Sequence, residues 1–374
     1  MTEKKYSFKK ILARIIIVII IFFIFTGFLF IISEFSYRLF KVIKLVFEKT
    51  YSVKNQAWRE YDPLLGWINK PSTDISIDLG EGKKHVFIDS YGFRNTPKNH
   101  VYYRDLRYDK IIALGDSFTF GYGVNNDETW PFYLEKQLRA KDRKVQVINM
   151  GCTAYGLDQE FLWFRRDGLK FKSKIVILGL LDISFSRATL SRWIQGENKP
   201  KFKISNGKLI LANIPVPKPS RVGSIRISKS DIPDILFNWR GSYIMSFLRD
   251  RFYRLNLLFM KKLPECSESF YLGKALLREL NLLCNQNNIK LIILLIPKRE
   301  WENNLPAIYY SMKDLKNELS IDIIDTIELF NADNLKWQYL YDGSGHFSAE
   351  GNKIVANYVY EYLAKNNFFA LYAN

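Results

Sequence analysis

A chain of 374 residues that is 48% hydrophobic and 16% aromatic can bury a full core, which excludes a disordered protein and fits one large domain carrying an insertion. The formal charge of +17 suits an anionic partner, yet its lysines and arginines are scattered along the chain. No zinc-finger spacing or ribonucleoprotein motif accompanies them, so nucleic acid is not an expected partner, and anionic lipid headgroups or acidic polysaccharide fit better.

Residues 15–33 form a charge-free, nearly all-apolar run, about the length of a helix that spans bilayer hydrocarbon. Lys4, Lys5, Lys9, Lys10 and Arg14 precede it against the single acid Glu3. By the positive-inside rule this keeps residues 1–14 cytoplasmic and sends the rest outward, a bias moderated by Arg38, Lys41 and Lys44. A cleaved signal peptide is the alternative, but residues 28–33 lack small residues at the spacing signal peptidase needs, so the expectation is a retained single-pass membrane anchor. Residues 34–60 follow as a stalk, with 35–47 predicted as a juxtamembrane helix lying at the headgroups.

From 61 to 107 the composition shifts to Gly, Pro and Asp turns around short alternating pieces at 75–79 and 85–89, which predicts a β-rich lead-in. The main domain is expected over 108–370. Apolar runs at 110–115, 145–151, 175–179, 291–297 and 321–327 suit buried parallel strands, separated by stretches long enough for helices, so the fold class is α/β with helices on both faces of a parallel sheet. The interval 186–264 is too long for a simple crossover and reads as an insertion after the third strand. Within it, alternating pieces flank Asn206-Gly207, a hairpin signal, and 232–259 has a helical, amphipathic pattern. Cys152, Cys266 and Cys284 show no CxxC spacing; isolated buried thiols are the expectation, with a Cys266–Cys284 pair the alternative outside the cytoplasm, and no metal site is expected.

The chemistry concentrates where the first of these runs stops at Gly115-Asp116-Ser117 and gives way to a glycine-rich turn. Ligands in open α/β folds bind beyond the carboxyl ends of the strands, so a serine there can be reached by substrate and, given a base, can attack a carbonyl. Taken alone, Ser117 reads better as a cap of the helix that follows the strand. Of the three histidines, His85 and His100 lie in the lead-in without partners. His346 lies in a loop with Gly343 and Gly345, after Asp342, and just before a helix predicted to start near Ser348. That arrangement makes His346 the candidate base and Asp342 the candidate group that fixes its tautomer. Acyl transfer also needs donors aimed at the developing oxyanion, and the backbone N–H groups of Ser117 and Gly151 are the candidates.

These blocks, in order, resemble those of the SGNH (GDSL-type) hydrolases: Gly115-Asp116-Ser117, Gly151 after a second strand, Asp182 after a third, and Asp342 with His346 near the C-terminus. The resemblance covers roughly 108–365, and the lead-in pieces at 61–67 and 89–94 are similar to the segment preceding the domain in membrane-anchored bacterial members. It implies a three-layer α/β/α, flavodoxin-like sandwich and hydrolysis or transfer of an ester-linked acyl group, often acetyl on carbohydrate, with no cofactor. It also implies Ser117 as nucleophile, His346 as base and Asp342 as its orienter. An acylated carbohydrate or other ester is then the expected substrate. Water as acceptor makes an esterase, a glycan hydroxyl makes an O-acyltransferase, and a non-catalytic glycan-binding or assembly protein is the third reading. Two positions depart from the family pattern: Leu181 stands where an oxyanion-hole Asn is usual, leaving Ser184, Asn149 or the remaining amides to serve, and Asp342 precedes His346 by four residues rather than two or three.

Overall fold

The computed structural model describes residues 2–54, 57–78, 82–97, 103, 105–141, 143–193, 197–218, 268–302, 305–332, 336–337 and 340–368. The chain divides into two compact units, one containing the N-terminal helix and the other formed by residues 55–221 and 261–374.

The helix α1 (Thr2–Lys54) is continuous. Within it, Arg14–Phe40 is the one segment among the described residues that is long and apolar enough to cross a membrane. Its 27 residues extend about 40 Å at 1.5 Å each. The expected break between a span ending at Ser33 and a separate juxtamembrane helix is absent. No Gly or Pro interrupts residues 34–54, and Glu34 pairs with Arg38 one turn later at 2.8 Å, which favours continuation of the helix. The boundary of the expected stalk also moves, because Trp58 is already buried in a small cluster with Val86, Ile88 and Phe120.

The second unit begins with two antiparallel hairpins, β1 (Arg59–Asp62) with β2 (Gly66–Asn69) and β3 (Thr73–Asp78) with β4 (Lys83–Ile88). The main sheet opens with β5 (Asp109–Gly115), followed by the short α2 (Ser117–Phe120) and by α3 (Trp130–Arg139). Then come β6 (Val145–Gly151), α4 (Leu157–Arg166), β7 (Ile175–Leu180) and α5 (Asp182–Ala188). The insertion supplies the hairpin β8 (Lys201–Ser205) and β9 (Lys208–Ala212), joined through Asn206 and Gly207 at φ 50° and 72°, the left-handed pair that a two-residue hairpin turn requires. The sheet resumes after α6 (Glu268–Gln286) with β10 (Lys290–Leu295), α7 (Ala307–Leu319), β11 (Asp322–Asp325), α8 (Thr326–Ala332) and finally α9 (Ala349–Lys365). The helical pattern at 232–259, Cys266 and His100 lie outside the described residues.

All five main strands pair in parallel, in the order β11-β10-β7-β5-β6. Numbered along this sheet alone, the order is 2-1-3-4-5, the flavodoxin-like arrangement, with α3 packed beside α9 on one face and α4, α5 and α6 packed together on the other. The result is a three-layer α/β/α sandwich. Burial on both faces explains the unbroken apolar runs: Ile111, Ile112, Ala113 and Leu114 are wholly buried, as are Ile175 to Leu178 across the ladder. The last strand stops at Asp325 instead of reaching Ile327. Asp325 Oδ1 accepts from the N–H groups of Ile327 and Glu328 at 3.1 and 3.3 Å, so the carboxylate caps α8 and turns the chain from strand to helix.

The strand order reverses at β5: the chain passes from β5 to β6 on one side and returns to β7 on the other. That switch point is where open α/β sheets form a crevice beyond their carboxyl ends. Ser117 stands two residues beyond the end of β5 at this place.

Candidate active site

Asp116 lies between strand and helix and caps α2, its Oδ1 accepting from Phe118 N at 3.0 Å. Its Oδ2 receives Arg187 Nη1 of α5 at 2.7 Å, and the same nitrogen donates to Tyr155 O at 3.0 Å. This buried pair ties the turn bearing Ser117 to the neighbouring crossover. Lys199 extends the tie into the insertion by donating to Arg187 O at 2.9 Å and to Asp158.

Ser117 and His346 are 229 residues apart in sequence, and Ser117 Oγ lies 2.9 Å from His346 Nε2. The imidazole is packed against the rings of Phe118 and Tyr122, at centroid distances of 4.9 and 4.8 Å. Burial lowers the pKa of His346 from its usual value and nearby Arg187 lowers it further, against the opposing pull of Asp116 and Asp342. The ring is therefore a neutral acceptor at pH 7, the state a general base requires.

Asp342 does not touch that ring. Its Oδ1 accepts from Ser344 N at 2.8 Å, from Ser344 Oγ at 2.6 Å and from His346 N at 3.0 Å, and Ser344 Oγ in turn lies 2.9 Å from His346 Nδ1. The direct contact expected of Asp342 is thus corrected to one through Ser344. The physical reason is the longer spacing: the carboxylate folds the loop by binding its amides, and the additional residue fills the gap between carboxylate and ring. The loop is closed by Asp342 N donating to His346 O at 2.7 Å and Gly345 N donating to Asp342 O at 3.1 Å.

The expectation for Gly151 is also corrected. Its N–H donates to Asn149 Oδ1 at 2.9 Å, so that amide has a partner within its own strand. The missing side chain has a different use, because a Cβ at Gly151 would overlap the backbone N of Phe120 in α2. Of the expected oxyanion donors, the Ser117 N–H at the head of α2 is the one that donates to no described group. Leu181 is buried and apolar, and the two candidate substitutes, Asn149 Nδ2 and Ser184 Oγ, are buried without partners and closed to solvent. Asp182 braces the crossover by accepting from Lys298 Nζ at 2.8 Å and from Ile183 N at 2.7 Å.

Three contributors have no role assigned from the sequence. Ser344 and Arg187 are two. The third is Arg94, which is buried and donates to five acceptors: Phe120 O at 3.3 Å, Gly121 O at 2.8 Å, Val124 O at 2.8 Å, His85 O at 3.1 Å and Asn126 Oδ1 at 3.1 Å. Its guanidinium also lies 4.6 Å from the centre of the Phe120 ring. One side chain of the lead-in therefore holds the glycine loop that follows Ser117, and only a planar fork with five N–H groups can do so. The lead-in reaches the second block too: Asn69 Nδ2 donates to Gly151 O at 2.9 Å, and Trp67 Nε1 donates to Thr153 O at 3.0 Å. The signal in sequence was Arg94 at the end of a motif placed before the domain, a position that gives no hint of its reach.

Cys152 and Cys284 are free and buried, and burial pushes both thiols up to about 12, so neither is a nucleophile at neutral pH. Among the described residues, no three or more His, Cys, Asp or Glu side chains gather as a metal site. A groove of about 900 Å³ lined by Lys174, Asn288, Lys290 and Phe368 lies where β7 and β10 begin, at the opposite end of the sheet from Ser117.

No family model and no curated protein matches the chain. Solved structures that it is similar to include a putative lipolytic protein of the G-D-S-L family from Desulfitobacterium hafniense DCB-2, 16% identical with a TM-score of 0.37, covering 67% of this chain and 98% of that one. They also include a lipase/acylhydrolase from Enterococcus faecalis, 11% identical with a TM-score of 0.39 over 69% and 96% of the two chains. An acetyl xylan esterase, AlAXEase, is 14% identical with a TM-score of 0.39 over 68% and 99%. At such identities and scores the likeness adds nothing to the strand order and the side-chain geometry, and it is those that define this α/β chain and its candidate site.

Proposed function

We propose that this chain is a serine-dependent ester hydrolase. The observation that carries the reading is the 2.9 Å contact of Ser117 Oγ with a neutral His346 Nε2 at the switch point of the sheet. Ser117 Oγ attacks the ester carbonyl as its proton passes to His346 Nε2, and the imidazolium then gives that proton to the departing alcohol oxygen. Water attacks the resulting acyl-serine, His346 takes the water's proton, and Ser117 recovers it as the acid leaves. Asp342 holds the histidine loop, and the Ser117 N–H faces the charge that develops on the carbonyl oxygen.

The substrate we favour is acylated, chiefly acetylated, polysaccharide of the cell envelope or in export. Two features support it: a basic chain suited to acidic glycan, and an apolar N-terminal helix long enough to span a membrane, whose flanking lysines favour a cytoplasmic N-terminus and a domain outside by the positive-inside rule. A glycan hydroxyl in place of water makes the same site an O-acyltransferase.

A second reading has its own observation. With Leu181 at the Asn position and the Gly151 N–H engaged by Asn149, two usual oxyanion donors are missing, which favours a glycan-binding or assembly protein on this fold. Hydrolysis of p-nitrophenyl acetate by the full chain in detergent micelles separates the two. The enzyme reading expects a rate that Ser117→Ala abolishes; equal rates in both proteins reject it.

A further inference from the structure

The contacts of Ser344 define a direction for its hydroxyl hydrogen. A serine hydroxyl has one hydrogen and two acceptor lone pairs, whereas an ionised carboxylate only accepts. Asp342 Oδ1 already gathers two backbone amides, and its 2.6 Å distance to Ser344 Oγ is that of a hydroxyl donating to a carboxylate. The hydrogen of Ser344 is therefore committed to Asp342, and a lone pair is left toward His346 Nδ1 at 2.9 Å. Only an N–H on Nδ1 satisfies that lone pair. The proton of the neutral ring is then on Nδ1, and Nε2 presents its own lone pair to Ser117 Oγ at 2.9 Å. The donors run one way, from Ser117 through His346 and Ser344 to Asp342.

We propose that Ser344 is a positioning residue that carries the hold of Asp342 onto His346, fixing the imidazole in the tautomer that accepts the proton of Ser117. This rests on the ester-hydrolase reading of the site for its kinetic consequence, but not for its geometry. One proton moves in the reaction, from Ser117 Oγ to Nε2 and on to the leaving oxygen. The Nδ1–H stays in place, its bond to Ser344 strengthens as the ring becomes positive, and the Ser344 hydroxyl turns that charge toward Asp342.

The arrangement is held from several sides. Asp342 is buried, and Gly123 in the loop after the nucleophile lies against its Oδ2. Gly345, at φ 83°, turns the loop so that residues 344 and 346 face the same carboxylate. The other charged groups acting on the ring are Asp116 and Arg187, neither of which contacts Nδ1, while Phe118 and Tyr122 cover its faces. Ser344 itself is solvent-exposed, so replacing it disturbs no core packing.

The test uses the full chain in detergent micelles with 15N-labelled histidine. The chain has only three histidines, and His346→Gln identifies the ring signals of His346. The proposal expects the Nδ1–H tautomer in the wild type, a mixture containing the Nε2–H form in Ser344→Ala, and return of the Nδ1–H form in Ser344→Thr, which keeps the hydroxyl. In p-nitrophenyl acetate hydrolysis it expects Ser344→Ala to lower kcat about tenfold or more with KM little changed, and Ser344→Thr to recover most of it. Asp342→Asn added to Ser344→Ala is expected to cost far less than Asp342→Asn alone, because both act along one chain of bonds. An unchanged tautomer in Ser344→Ala, or losses that simply add, overturns the proposal. If Ser117→Ala hydrolyses the ester as fast as the wild type, the hydrolase reading fails, and the tautomer measurement still decides the role of Ser344.

Discussion

Replacing Gly123 by alanine tests the site through a residue that has no side chain. Gly123 has φ +88°, and a Cβ built there falls about 1 Å inside the 3.0 Å that Cβ atoms keep from other heavy atoms, the obstacle being Asp342 Oδ2. Two costs follow. The left-handed backbone costs a non-glycine residue about 1–2 kcal/mol. The carboxylate or the loop must also retreat by about 1 Å, which breaks or stretches bonds that Asp342 Oδ1 makes at 2.6 to 3.0 Å, each worth roughly 1 kcal/mol. A total of about 2–4 kcal/mol lowers the melting temperature by roughly 5–15 °C for a domain of this size. Misplacing the base by 1 Å costs about a hundredfold in rate. The assay is p-nitrophenyl acetate hydrolysis beside a thermal melt followed by near-ultraviolet circular dichroism. Gly207→Ala is the control, since Gly207 has φ +72° in the β8–β9 turn with open space around it; it is expected to carry the backbone cost alone and keep full activity. Wild-type kcat/KM in Gly123→Ala would refute the claim that this close approach sets the position of Asp342.

The pH profile follows from the lowered pKa of His346, whose first cause is burial. The rate should fall on acidification with a midpoint below the usual 6.5, since the base must be unprotonated. Stability should fall too as pH drops from about 6.5 toward the folded-state value, because in that window the unfolded chain binds the proton more readily than the folded one; urea titrations between pH 4.5 and 8 measure it. Leu181→Asn should raise kcat by up to about a hundredfold if a missing oxyanion donor limits turnover, and no gain would remove that explanation. Arg94→Lys should destabilise the domain by about 3 kcal/mol or more, because an ammonium cannot serve five acceptors at once and leaves buried carbonyls unpaired; an unchanged urea midpoint would refute the clamp.

Much of the fold could be read directly along the chain. The strands β5, β7 and β10 of the main sheet are built on runs of Ile, Val and Leu because both faces are covered, and such runs are visible without any knowledge of their neighbours. Asn206-Gly207 announces its hairpin because the turn's φ angles are a local demand. The failures are also local in origin. The strand extended to Ile327 in sequence because β-branched Thr326 and Ile327 suit a strand, and only the Asp325 side chain folding forward onto two amides ends it. Helical spacing over 35–47 predicts the helix found there, and α1 runs into it without a break because the change of polarity after Ser33 ends a hydrophobic run but does not end a helix.

At the candidate site, residue type and order alone single out the candidate groups: a serine at the end of a buried strand, one histidine in a glycine-flanked loop, and Leu181 after the third strand. Those are properties of residue type and order. Which of these groups touch is set by the folded chain. That Ser117 and His346 meet, that Ser344 and not Asp342 reaches Nδ1, that the Gly151 amide is taken by Asn149, and that Arg94 of the lead-in holds the loop after Ser117 all depend on contacts a few ångströms long. Such contacts depend on backbone direction and side-chain rotamer, and one added residue in a loop is enough to pass a hydrogen bond from one side chain to its neighbour.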